Sequence, residues 1–150
     1  MVKDKQEIVK KDYIFAVGRR KESVARVRLY SKDSIMWDGV EIKKGEIVVN
    51  KKPALLYFGE QNEKEFKKPL TTTNTEKKFV ITVVVQGGGK VGQLDAMVLG
   101  IARALDEFDR EKFHSLLRKK GLLTRDARIR ERRKVGMGGK ARRKKQSPKR

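Results

Sequence analysis

The sequence predicts one small domain of mixed strand and helix content, carrying a long basic tail that cannot fold by itself. Three observations predict this. Residues 24–30 alternate apolar and basic side chains, and residues 78–86 are almost continuously apolar and β-branched, which gives two strands of different burial. Residues 91–108 place Val91, Leu94, Val98, Ile101 and Leu105 at steps of three and four, which gives an amphipathic helix. Residues 118–150 hold 16 Lys and Arg against two acids, Asp126 and Glu131, in a chain whose totals are 39 and 19. Such a segment has too little apolar surface to offset the entropy of ordering, and its charges repel one another. It needs a dense, fixed anion to order against. A phosphate backbone is the obvious one, so the chain reads as a nucleic-acid binder before any motif is considered.

The elements follow in order. Residues 1–12 are a polar arm, mixing Lys with Asp4, Glu7 and Asp12. Residues 13–17 form a short apolar strand. Gly18-Arg19-Arg20-Lys21-Glu22-Ser23 reads as a basic turn. In residues 24–30, Ala25, Val27 and Leu29 point one way and Arg26 and Arg28 the other, as in a half-buried antiparallel strand with a basic outer face. Ile35-Met36-Trp37 and Val40-Glu41-Ile42 flank Asp38-Gly39, a hairpin signal because both turn positions need positive φ. Residues 46–49 add an extended piece. Residues 53–58 read as a short helix with Pro53 in its first turn. Residues 62–68 read as a second helix, capped by Asn62 with Glu65 three residues on and stopped by Pro69. The strand at 78–86 should be central and covered on both faces. On the long helix, Ala96, Gly100 and Ala104 form a second row of small residues that lets another backbone come close. A last helix, 109–119, has Asp109 at its cap, Phe113, Leu116 and Leu117 inward, and Gly121 at its end.

Length and composition bound the function. Of 150 residues, about 115 precede the tail, enough for one modest core. A formal charge of +20 attracts polyanions. The basic run lacks the regular apolar face of an interfacial helix, and no stretch reaches membrane-span length. There is no cysteine and one histidine, His114, so thiolate zinc sites, disulfides and cysteine nucleophiles are excluded. The opening residues lack the apolar core of a signal peptide, and a cytoplasmic protein is expected.

Each motif has a plain reading beside its functional one. Gly87, Gly89 and Gly92 satisfy G-x-G-x-x-G after a strand and before a helix, the pattern of a dinucleotide loop. The context disagrees, because another helix and the tail follow rather than a second parallel strand. Two readings stay open: a tight strand-to-helix turn that holds no phosphate, or amides that, with Lys90, meet a nucleic-acid phosphate. Arg19, Arg20 and Lys21 are either a solvated loop or a phosphate clamp continued by Arg26 and Arg28; the total charge favours the clamp. His114 reads as structural. No nucleophile, base and oxyanion site assembles, so no enzyme and no cofactor are expected. The tail could be a solubilising or targeting run. Its interspersed Leu122, Ile129, Met137 and glycines instead suggest a segment that bends and makes ordered contacts.

Three stretches resemble a known family. Val17-Gly18-Arg19-Arg20-Lys21-Glu22-Ser23-Val24-Ala25-Arg26-Val27-Arg28-Leu29 looks like the opening signature of the ninth protein of the small ribosomal subunit, in its bacterial form. Gly87-Gly88-Gly89-Lys90-Val91-Gly92-Gln93 with Gly100-Ile101-Ala102-Arg103-Ala104-Leu105 looks like the central one. Leu122-Leu123-Thr124-Arg125-Asp126-Ala127-Arg128 with Glu131-Arg132-Arg133-Lys134 looks like the third. The similarity runs in motif order over residues 13–150. It implies an α+β domain of the two-layer, sheet-on-helices type shared with the second domain of small-subunit protein five, with a long extended basic C-terminal tail. It implies a body that holds ribosomal RNA in the subunit head beside neighbouring head proteins. It also implies a tail whose final Lys149 and Arg150 touch the anticodon stem-loop backbone of peptidyl-site tRNA. The chain departs from the family at its end, where Pro148 stands and the usual aromatic before the last Ser-Lys-Arg is missing.

The expected organisation is an arm at 1–12, a globular rRNA-binding body at 13–120 and a tail at 121–150. Expected rRNA contacts are Arg19, Arg20, Lys21, Arg26, Arg28 and Lys90 on the body, and Arg125, Arg128, Arg132, Arg133, Arg142, Arg143, Lys144 and Lys145 along the tail. Most should meet phosphates, with specificity from RNA shape. No metal, membrane or second copy of the chain is expected as a partner. Composition alone leaves two other classes: a nonspecific nucleic-acid-compacting or annealing protein, and a phosphate-binding enzyme built on the glycine loop.

Overall fold

A computed structural model describes residues 12–136. They form an α+β fold with seven strands and four α-helices: β1 Ile14–Arg20, β2 Ser23–Tyr30, β3 Ser34–Trp37, β4 Val40–Lys43, β5 Ile47–Val49, β6 Lys52–Pro53, α1 Ala54–Phe58, α2 Glu63–Thr72, β7 Val80–Gln86, α3 Lys90–Phe108 and α4 Arg110–Lys119. A 3-10 turn at Glu60–Asn62 leads into α2.

The main sheet runs in the order β1-β2-β7-β5-β6. Its pairs are antiparallel except β5 with β7, which are parallel. Register puts Ala16, Val27 and Val83 in one row, and Gly18, Ala25 and Val85 in the next, all buried on one face. The helix α3 lies across that face over β1 and β2, and α2 and α4 pack on α3. The core joins this sheet face to Leu94, Met97, Ile101, Leu105, Phe66, Leu70 and Leu117. The third strand in the order, β7, is buried at Val80, Ile81, Thr82, Val83 and Val85, as its unbroken apolarity requires.

The small row on α3 sets the closeness of this packing. A Cβ at Gly18 would overlap the carbonyl oxygen of Ala96 and come to 2.5 Å from the amide nitrogen of Gly100. A Cβ at Gly100 would stand 2.6 Å from a methyl of Val27. Strand and helix backbones touch there, with no side chain between them. The β3–β4 hairpin turns on Asp38 and Gly39 at φ 55° and 82°, the paired positive values that Asp-Gly supplies.

Several boundaries differ from the sequence reading. The first strand continues to Arg20, so the basic turn contracts to Lys21-Glu22. Pro53 stands just before α1 rather than inside its first turn. Asn62 makes no cap bond, because its amide donates to the Phe58 carbonyl at 2.8 Å and closes the preceding turn. Pro69 does not stop α2, which continues to Thr72. Phe66, Pro69 and Leu70 fall at i, i+3 and i+4 and are all buried. Burying Phe66 and Leu70 is worth roughly 1.5–3 kcal/mol each, against a proline cost of about 3 kcal/mol. The hydroxyls of Thr71, Thr72 and Thr73 donate back to the carbonyls of Lys67, Lys68 and Pro69 at 3.1, 2.7 and 3.0 Å, four residues earlier along the helix. On α3, Val91 is 74% exposed, and the buried surface instead spreads over Ala96, Met97, Leu99 and Ala102 because the helix is covered by both sheet and helices. Leu116 on α4 is exposed, while Leu117 is fully buried.

Candidate nucleic-acid interface

Period two on β1 and β2 leaves one sheet face outside the core. Its outward residues are Phe15, Val17 and Arg19 on β1, and Val24, Arg26, Arg28 and Tyr30 on β2. No acid stands among them. Arg19, Arg26 and Arg28 are exposed, and so is Phe15, at 41%. The guanidinium of Arg28 sits 5.1 Å from the centre of the Tyr13 ring, which in turn packs at 5.4 Å against Tyr30. The face therefore mixes fixed positive charge with aromatic surface, the combination suited to phosphates and unstacked bases.

A second basic surface forms where three elements meet. Lys21 at the β1–β2 turn, Lys90 at the start of α3, and Arg125 and Arg130 from the segment after α4 line a cleft of about 680 Å³, with Glu22 as its one acid. The glycines between β7 and α3 shape its wall. Gly87 and Gly88 have φ of 74° and 60°. A Cβ at Gly87 would lie 2.5 Å from the Glu22 carbonyl oxygen, and one at Gly88 would overlap the Ser23 hydroxyl. Ser23 Oγ and Gln93 Nε2 both donate to the Gly87 carbonyl, at 3.1 and 3.0 Å. Gly87, Gly88 and Gly92 thus serve the packing of this turn on the β1–β2 turn, which is the plain reading of the glycine pattern. Gly89 alone borders open space. It leads into the first turn of α3, whose leading amides have no partner within the helix.

The chain after α4 is held at its start. Leu122 N–H donates to the Leu117 carbonyl at 3.1 Å and Gly121 N–H to that of Arg118 at 2.9 Å, with Gly121 at φ 69°. This is a Schellman cap. Leu122 and Leu123 then pack against the core. Asp126 folds back on Arg128: its carboxylate accepts from Arg128 N at 2.9 Å, Nε at 3.1 Å and Nη2 at 2.7 Å. These bonds, with the Arg20 charge beside them, hold the Asp126 carboxyl well below the usual carboxylate range.

The expected site residues divide accordingly. Arg19, Arg26 and Arg28 share the outer face; Lys21, Lys90 and Arg125 share the cleft; Arg132 and Arg133 are exposed beyond it. Arg128 is turned onto Asp126, though it stays open to solvent. Arg20 is turned inward, its side chain only 12% exposed, and is engaged by Asp95, Asp126 and the Arg128 carbonyl. Arg142, Arg143, Lys144, Lys145, Lys149 and Arg150 lie outside the described residues. The sequence reading passed over Arg130, whose place in the cleft depends on where the chain leaves α4. It also passed over Phe15 and Tyr13, which alternation from Arg26 and Arg28 across the strand pair could have placed on the same face.

Among the described residues, no helix is long and apolar enough to cross a membrane, and no three His, Cys, Asp or Glu stand close enough to hold a metal ion. His114 Nδ1 lies 2.8 Å from Asp106 Oδ1, joining α4 to α3.

The sequence matches the family described as Ribosomal protein S9/S16 over residues 18–150. It is 42% identical to the small ribosomal subunit protein uS9 of Rickettsia africae (strain ESF-5), over 97% of this chain and 84% of that one. It is 46% identical to the protein of the same name from Maridesulfovibrio salexigens, over 86% of this chain and 91% of that one. The identity to that of Mesoplasma florum is 49%, over 81% and 85%. A family match through almost the whole chain, together with the basic sheet face, the basic cleft and the anchored basic tail, places it: the chain belongs to the ribosomal protein S9/S16 family of the small ribosomal subunit.

Proposed function

We propose that the chain is a structural constituent of the small ribosomal subunit, without enzymatic activity, whose body holds small-subunit rRNA and whose tail reaches peptidyl-site tRNA. The observation that carries the reading is the outer face of β1 and β2, where three arginines and exposed aromatic surface stand with no acid between them. Arg19, Arg26 and Arg28 meet the RNA backbone from that face. Lys21, Lys90, Arg125 and Arg130 meet it at the cleft, where the first amides of α3 add a partial positive charge. Arg132, Arg133, Arg142, Arg143, Lys144 and Lys145 carry the contact along the tail, and Lys149 and Arg150 touch the tRNA anticodon stem-loop backbone. The mechanism is positioning by charge and shape, with no bond made or broken. The packing of α3 on one sheet face, with α2 and α4 against α3, supports the two-layer type that the sequence resemblance implies. The place of action is then the cytoplasmic ribosome, beside other proteins of the subunit head.

Sedimentation of a cell lysate tests the reading. Co-migration with the small subunit that survives high salt is expected. Release into light fractions, or spreading over all nucleic acid, would instead favour a nonspecific compacting or annealing protein, whose binding is nearly all counterion release. Removing Lys149 and Arg150 should leave incorporation intact and weaken retention of tRNA at the peptidyl site. Unchanged retention in filter binding would remove the tail tip from the proposal.

A further inference from the structure

We infer that Arg20 and Asp126 form a latch that fixes the direction in which the basic tail leaves the body, before any RNA is met. The purpose of such a latch rests on the RNA-binding reading above; its existence does not.

The geometry is specific. Arginine has five N–H donors in a rigid planar fork. Arg20 Nε faces Asp95 Oδ2 on α3 at 3.4 Å. Its Nη1 donates to the Arg128 carbonyl at 2.6 Å and to that of Asp126 at 3.4 Å. Its Nη2 lies 3.0 Å from Asp126 Oδ2. One side chain at the end of β1 therefore grips two carbonyls and a carboxylate of a segment more than a hundred residues away, while also touching the long helix. The bidentate Arg128–Asp126 pair orients the carboxylate toward it. Among the described residues, every hydrogen bond between the body and the segment after Leu123 is donated by Arg20. Residues 129–136 beyond it are exposed.

Leu122 and Leu123 fix where the tail starts, but a chain held at one point can leave in any direction. A second point of attachment, four residues past Leu122, defines a line. The body end of that line is stiff, because the Gly18 contact locks β1 to α3 two residues before Arg20. The line lays Arg125 and Arg130 along the cleft beside Lys21 and Lys90. Ordering these cations in advance reduces the entropy lost when a phosphate backbone binds.

The test uses the full-length chain and three variants: Arg20→Gln, Arg20→Lys and Asp126→Asn. Each is also made with Ala127→Cys, in a chain that otherwise has no cysteine, so that a nitroxide label reports motion of the latched segment. Its spectrum should sharpen in each variant, as expected when a charge-assisted bidentate pairing is removed, while slow amide exchange in β7 confirms the fold. Arg20→Lys should group with Arg20→Gln, since it keeps the charge and loses the fork. Binding to a transcript of small-subunit rRNA, read against salt, then reports the purpose. Asp126→Asn removes a negative charge, so charge alone predicts tighter binding; a latch predicts weaker binding. Arg20→Gln should weaken binding with an unchanged salt slope, whereas removing a cation that neutralises a phosphate would lower that slope by about 0.7–0.9. An unchanged nitroxide spectrum in all variants would overturn the latch. Tighter or equal binding by Asp126→Asn would overturn its role in RNA binding. If the wild-type chain itself does not prefer that rRNA to duplex DNA, the functional reading fails, and the nitroxide spectrum still decides whether the latch exists.

Discussion

At the scale of single residues, Gly18 and Asp126 give the most exposed predictions. Gly18 borders the helix backbone, and no rotamer change can make room for a methyl against a carbonyl oxygen and an amide nitrogen. Gly18→Ala should cost more than about 3 kcal/mol, above the usual range for overpacking, read as a shift of the urea midpoint. An unchanged midpoint would mean that the seam is looser than described. The Asp126 carboxyl is held low by Arg128 first and Arg20 after it. The charged and titratable groups around it are Arg20 and Arg19 from β1, Glu65 and Lys68 from α2, Asp95 from α3, and Arg128. A depressed carboxyl contributes stability that is full above its unfolded pKa near 4 and is lost as pH falls below it. Motion of a nitroxide at Ala127→Cys should therefore be flat between pH 5 and 8, and should rise only in stronger acid. A rise between pH 6 and 7 would mean that another group holds the segment.

At the scale of elements, Asn50 ties three of them together. Its side chain donates to the Val85 carbonyl and accepts from the Val85 amide, both at 3.0 Å, so that it extends the β5 edge of the ladder by one rung. Tyr57, on α1, lies within 3.4 Å of it and donates to Gln93 on α3 at 2.9 Å. Asn50→Ala leaves both Val85 groups unpaired and should cost about 2–4 kcal/mol in an equilibrium unfolding experiment; a change under about 0.5 kcal/mol would mean that water replaces the side chain. Elements of this kind divide what a sequence reveals from what it hides. The alternation of residues 24–30, the β-branched run at 78–86 and the Asp-Gly hairpin were legible because their signals are local: period, shape and turn chemistry. The small row on α3 was legible as a place of close approach. The sequence ends α2 at Pro69 because proline alone does not announce the burial of Phe66 and Leu70 that carries the helix on to Thr72. Arg20 stands among the expected rRNA contacts because nothing in its neighbourhood of sequence names Asp126 as its partner. Arg130 was missed for a related reason, since its cleft exists only once two turns and the post-helical segment have come together.

At the scale of the whole molecule, charge is partitioned rather than spread. Residues 1–117 carry 23 bases and 17 acids, a near balance that lets a modest core fold, whereas the rest carries 16 bases and two acids. Much of the body's excess positive charge is concentrated on one sheet face and one cleft. Because Arg19, Arg26 and Arg28 are exposed, replacing all three with alanine should shift the unfolding midpoint little. It should nonetheless lower the salt slope of rRNA binding by about 2–3, at roughly 0.7–0.9 for each phosphate that is no longer neutralised. A slope that does not move would place the RNA on another surface.

The Arg20 contact also orders events in time. Its two sides are separated by 106 residues, which a ribosome needs roughly 5–20 s to synthesise at ordinary rates. During that interval β1 and β2 can pair, but they acquire their third strand only with β7 and their cover only with α3. By the time Asp126 emerges, Arg20 already stands at the end of a finished strand, against a finished helix. The most highly charged segment is thus made after the body and meets a docking point already built, which shortens the period in which its cations are unguided.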